Sequence, residues 1–111
     1  MSSDLFKGTL QTIILNLLAQ NEKMYGYEIT QKVKLITQGE LLLKEGALYP
    51  ALHKLEAEGF LETSTEVVDN RLRKYYSLSQ NGEKEMSYKL EEAKEFILNL
   101  QLLLNIKPNL A

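Results

Sequence analysis

Apolar residues early in the chain recur at helical spacing. Leu10, Ile13, Ile14, Leu17 and Leu18 share one face, which predicts a helix over 8–20. Asn21, Glu22 and Lys23 form a polar connection. Ile29, Val33 and Ile36 make a second stripe, predicting a helix over 25–37 that Gln38-Gly39 stops. Gly26 near its start suits close packing between helices. Tyr25 opens this helix, where a phosphate could be met, and Tyr27 is expected to pack between helices. The short run Leu41, Leu42 and Leu43 reads as a small strand.

A third helix is predicted over 46–58. Leu48, Ala51, Leu52 and Leu55 point one way; Gly46, Tyr49, Pro50, His53 and Ala57 point another, with Lys54 at the boundary. Pro50 is expected in the first turn, where few intrahelical donors are needed, and Gly59 is the expected C-cap. A hairpin follows, with strands over 60–68 and 71–78 about an Asp69-Asn70 turn. This register pairs Val68 with Arg71, Glu66 with Arg73, Ser64 with Tyr75 and Glu62 with Ser77, all on one mostly polar face. Leu61, Thr63, Thr65, Val67, Leu72, Lys74, Tyr76 and Leu78 form the more apolar face. A slip of one residue would mix the two sets.

Ser79 is placed to cap a last helix over 80–105, on the order of 39 Å long. Met86, Leu90, Ala93, Ile97, Leu100 and Leu104 are separated by steps of 4, 3, 4, 3 and 4, the spacing of a heptad seam. They are the candidate dimer interface. Phe96, Leu98, Leu102 and Leu103 add apolar surface off the seam, and Pro108 is expected to end the element.

The predicted fold class is mainly α with a small β-hairpin: a winged helix-turn-helix over residues 1–79, then a C-terminal dimerisation helix and short tail over 80–111. In that layout the third helix fits the DNA major groove and the hairpin reaches the backbone. Candidate DNA-binding residues are Tyr25, Lys44, Tyr49, His53, Lys54, Arg71, Arg73 and Lys74. Lys7 and Thr9 are weaker candidates for phosphate contact. Each candidate has a rival role. Tyr49 could pack beside the hairpin, and Arg73 could pair with Glu66 across the strands. Lys74 lies on the apolar face and reaches solvent only by its long stem.

Charge narrows the picture. The 111 residues carry a formal net charge of −2, which argues against a uniformly basic surface. The charges are segregated: five acids and no base occur from Glu56 to Asp69, and three bases and no acid from Arg71 to Lys74. DNA responds to such local fields. Three to four phosphate-neutralising cations per subunit predict a salt slope of about −5 to −7 for a dimer. The lack of cysteine excludes disulfides and cysteine–zinc sites, and is compatible with the cytoplasm. No signal peptide or membrane span is read. No phosphate-cradling glycine loop, metal-ligand cluster or nucleophile–base pair is found, so an enzyme is not expected and neither cofactor nor metal is implied. A winged-helix module that binds a protein instead of DNA is the alternative, motivated by the acidic first strand and the apolar last helix.

Several segments resemble the PadR-like regulators. They are Phe6-Lys7-Gly8-Thr9-Leu10, Tyr25-Gly26-Tyr27-Glu28-Ile29, the stretch from Gly46 through Leu48-Tyr49-Pro50-Ala51-Leu52 to Gly59, and Arg73-Lys74-Tyr75-Tyr76-Ser77-Leu78 followed by Gly82. The resemblance covers about residues 5–90, and the single long last helix is similar to the short subfamily. It implies a homodimer on double-stranded operator DNA, usually a repressor, with the last helix as dimer arm. It also implies a small aromatic effector near the dimer interface, for which Phe96 and Ile97 are the candidates; plain dimer packing is the rival role. Ala47 departs from the usual Thr or Ser and removes a hydroxyl from the third helix. Asp69-Asn70 replaces the usual Gly or Pro at the wing and sets an acid where phosphate would approach.

Overall fold

A computed structural model describes Phe6 and residues 8–107. In chain order the elements are α1 (Leu10–Gln20), β1 (Met24–Tyr25), α2 (Gly26–Ile36), α3 (Glu45–Ala57), β2 (Leu61–Val68), β3 (Arg71–Leu78) and α4 (Gln80–Leu103). The three strands form one antiparallel sheet in the order β1-β3-β2. The architecture is a winged helix followed by a long helix, as the periodicity predicts.

The core lies where α1, α2 and α3 meet the base of the sheet. Ile14, Leu15, Ile29, Leu48, Leu52, Leu55 and Tyr76 are its most deeply buried side chains. Each such aliphatic side chain contributes about 1.5–3 kcal/mol on leaving water. Leu15 joins this core although it lies beside the predicted stripe of α1. Ile36 and Tyr27 do the reverse: they are 61% and 57% exposed, because α2 turns only its Ile29–Val33 side to the core.

The hairpin has the predicted register, with Val68 opposite Arg71, Glu66 opposite Arg73, Ser64 opposite Tyr75 and Glu62 opposite Ser77. Asp69 (φ 52°) and Asn70 (φ 63°) both adopt left-handed backbone, as a two-residue turn matching the strand twist requires. The apolar face holds only at the base. Leu61 and Tyr76 are buried, while Val67 and Leu72 near the tip are 70% and 75% exposed. Residues 41–43 do not form a strand, since the edge of β3 away from β2 is occupied by Met24–Tyr25. The segment instead inserts Leu43 into the core, and the Leu41 N–H donates to Thr37 Oγ1 (3.1 Å).

Helix ends follow local chemistry. Past α3, Gly59 (φ 85°) lets the Phe60 N–H reach the Leu55 carbonyl and its own N–H reach Glu56, both at 3.0 Å. Past α4 the same motif is made by Asn105 (φ 56°), with Ile106 N–H on the Gln101 carbonyl at 2.9 Å. The helix therefore stops ahead of Pro108, which lies outside the described residues. Ser79 caps α4 as predicted: its hydroxyl accepts from the Gly82 N–H (3.0 Å) and donates to the Gly59 carbonyl (2.6 Å). Pro50 is the sixth residue of α3, two positions beyond its first turn, because the helix begins at Glu45. The carbonyl deprived of its usual donor is that of Gly46, an exposed residue.

The first half of α4 packs along α1, with Met86 against the core and Leu90 and Ala93 half-buried. Beyond them Phe96, Ile97, Leu98, Leu102, Leu103 and Leu104 are all more than half exposed, and Leu100 is 37% exposed. No helix among the described residues is long and apolar enough to cross a membrane.

Candidate nucleic-acid interface

The outer face of α3 is uncovered. Gly46, Pro50, His53, Lys54 and Ala57 are exposed, while Leu48, Leu52 and Leu55 anchor the opposite face. Lys44 is the exposed N-cap residue of this helix. Tyr49 is half-buried. Its ring lies 6.3 Å from that of His53, and its hydroxyl rests on Gly26 at the start of α2. Burial, aided by Glu45 and Tyr76, pushes the Tyr49 hydroxyl above the ordinary tyrosine range. Tyr49 thus packs its ring end against the start of α2, with Tyr76 of the hairpin also near enough to act on its hydroxyl, and Gly26 serves the close helix approach predicted for it.

The wing cations differ from one another. Arg71 is exposed at the turn and has no ion-pair partner among the described residues. Lys74 pairs with Glu56 of α3 (3.5 Å) and lies 5.2 Å from the centre of the Tyr76 ring. Thr63 also donates to Glu56, so one carboxylate of α3 joins both strands of the hairpin (3.4 Å).

Arg73 makes no ion pair with Glu66, although the two residues are cross-strand partners. Its guanidinium lies over the Tyr25 ring, 4.0 Å from the centroid. Glu66 instead pairs with Lys23, and this holds the Lys23 ammonium above its ordinary range. Lys23 in turn lies 4.8 Å from the centre of the Tyr75 ring. Tyr25 and Tyr75 meet edge to face at 5.5 Å. The sequence carries no signal for this role of Lys23, which stands in a polar connection 43 residues from Glu66. Tyr25 also shapes the helix start: its N–H donates to the Glu28 carboxylate (3.0 Å).

The candidate effector residues divide. Phe96 lines an open cleft of about 370 Å³ between the start of α1 and α4, with Thr9, Thr12, Lys89 and Ala93. Ile97 is exposed and does not line it. Lys7 lies outside the described residues. Among the described residues no group of three His, Asp or Glu side chains could hold a metal ion.

This arrangement matches that of known regulators. The model of the transcriptional regulator PadR-like family matches residues 14–88. An uncharacterized protein of Lysinibacillus sphaericus is 34% identical over 91 residues, spanning 81% of this chain and 83% of its own length. A transcriptional regulator from Clostridium thermocellum superposes with a TM-score of 0.78 at 29% identity, over 97% of this chain and 99% of that one. The Bacillus subtilis PadR solved in complex with operator DNA gives a TM-score of 0.66 at 32% identity, over 73% of this chain and 46% of that one. The chain belongs to the PadR-like family of transcriptional regulators.

Proposed function

We propose that this regulator binds a palindromic operator as a homodimer and represses by occupying it. Residues 1–79 form the DNA-binding unit and 80–111 the dimer arm. α3 enters the major groove with His53 and the edge of Tyr49, and Lys44, Lys54 and Arg71 take phosphates. The observation that carries the reading is the uncovered outer face of α3, flanked by cations that have no ion-pair partner among the described residues. The exposed apolar half of α4 supports the dimer, with Ile97, Leu100 and Leu104 on the seam. A small aromatic effector would sit beside Phe96 in the cleft between α1 and α4, close enough to that arm to alter the spacing of the two α3 helices.

Selecting bound sequences from a random DNA pool tests the proposal. It should recover a palindrome whose half-sites lie about one turn, roughly 34 Å, or a multiple apart. Placed upstream of a reporter, that site should lower transcription. The exposed Val67 and Leu72 beside an acidic turn favour a second reading, a winged-helix module that binds a protein. No retention of DNA at low salt, together with a stable hetero-complex, would select that reading.

A further inference from the structure

One face of the sheet carries a stack that neither the core nor the outer face of α3 explains. Lys23, Tyr75, Tyr25 and Arg73 follow one another as cation, ring, ring and cation, at 4.8, 5.5 and 4.0 Å between successive centres. Glu66 closes the Lys23 end. The register explains why these five meet. Tyr25 pairs with Tyr75, and Arg73 pairs with Glu66. Tyr25 and Tyr75 are half-buried although they lie on the polar face, and each ring meets the other and one of the two cations.

Each contact joins the hairpin to the segment that opens α2. Lys23 and Tyr25 belong to that segment; Glu66, Arg73 and Tyr75 belong to the wing. Backbone pairing between β1 and β3 stops at Tyr25–Tyr75, so Arg73 on Tyr25 and Lys23 on Glu66 carry the tie further toward the tip. On the opposite face, Glu56 holds Lys74 and Thr63 to α3. The hairpin is thus held from both sides at about the same height, and only the tip around Arg71 extends beyond.

We propose that the Lys23–Tyr75–Tyr25–Arg73 stack, closed by Glu66, is a clamp that fixes the angle of the wing against the helix-turn-helix, making Arg73 and Lys23 positioning residues and leaving Arg71 as the wing's phosphate contact. A guanidinium lying on a ring face is oriented by that ring, and turning it toward a phosphate would forfeit the stack. The clamp matters because a wing free to swing would make Arg71 meet its phosphate only part of the time. This inference rests on the DNA-binding reading above, so its test has one arm without DNA.

In the free protein, ¹⁵N relaxation of residues 66–73 should report a rigid hairpin, with order parameters near 0.85. Tyr25→Leu and Arg73→Ala should each lower them toward about 0.6, and Tyr25→Phe, which keeps the ring, should not. Unchanged order in both disrupting variants would overturn the clamp, whatever the protein does with DNA. On the selected duplex, Arg73→Ala should weaken binding about three- to fivefold, the size of an exposed cation–ring contact, with no change in salt slope. Arg71→Ala should reduce the slope by about one per chain. In the Tyr25→Leu background, Arg73→Ala should add less than about twofold, since the two act as one unit. A slope lost equally in Arg73→Ala, or full additivity with Tyr25→Leu, would make Arg73 a phosphate contact and overturn the proposal. A wild-type chain that holds no DNA at low salt would overturn the DNA-binding reading, and the relaxation arm alone would then decide the clamp.

Discussion

A methyl group added at Gly26 or at Gly82 would meet different neighbours, and the neighbour decides the cost. At Gly82 the new Cβ would overlap the Phe60 carbonyl, whose carbon lies 3.0 Å away. That carbonyl is backbone and already accepts the Ser79 N–H (3.0 Å), so it has little freedom to move. At Gly26 the Cβ would meet the ring end of Tyr49, with Cζ at 2.8 Å, and a side chain can swing aside. Urea denaturation should therefore show Gly82→Ala losing about 3 kcal/mol, the upper end for overpacking, and Gly26→Ala about 1 kcal/mol. Equal losses would contradict this ranking. Tyr49 adds a pH dependence. Its hydroxyl is held protonated by burial in the fold, so its contribution is complete below the unfolded-state value of about 10. The contribution is lost as pH rises through the higher folded value. Stability measured between neutral and alkaline pH should fall less steeply in Tyr49→Phe. At this scale the sequence reveals caps and stripes, because Ser79, Gly59 and the Leu48–Leu52–Leu55 set act over one or two turns. It does not reveal which cations are engaged. Lys23 and Glu66, or Lys74 and Glu56, meet only after the sheet has formed.

Elements differ in legibility for the same reason. The hairpin could be read to the residue because alternation along β2 and β3 admits one register around a two-residue turn. β1 could not be read: two residues carry no period, and Met24 finds its partner only at Tyr76. The run at 41–43 has the apolar character of a strand but finds no free sheet edge. The Asp69-Asn70 turn is directly testable. Both residues have positive φ, which a β-branched side chain resists. Asn70→Val should destabilise the protein by about 1–2 kcal/mol in thermal or chemical unfolding. It should also blur the wing amide resonances while leaving those of α1 in place. An unchanged stability would mean that the turn is not the two-residue form.

For the whole molecule, α4 is the element that the chain alone does not explain. Its first half is satisfied by α1, while its second half presents Ile97, Leu98, Leu102 and Leu103 to solvent. The heptad seam made the helix readable from the sequence. The off-seam residues and the half-burial of Met86, Leu90 and Ala93 on α1 depend on tertiary packing, which periodicity does not encode. If the exposed half pairs with a second copy, Leu100→Glu would bury an unpaired charge in each chain and weaken self-association about a hundredfold or more. Sedimentation at micromolar concentration should find a dimer for the natural chain and a monomer for the variant. A natural chain that runs as a monomer would remove the arm from the account.

A dimer held on DNA by a small, defined set of cations is tested most sharply by the salt dependence of its affinity for the selected duplex. Lys44, Lys54 and Arg71 from each chain, with Arg73 and Lys74 engaged within the protein, predict a log–log slope of about −5. Affinity indifferent to salt would contradict the account.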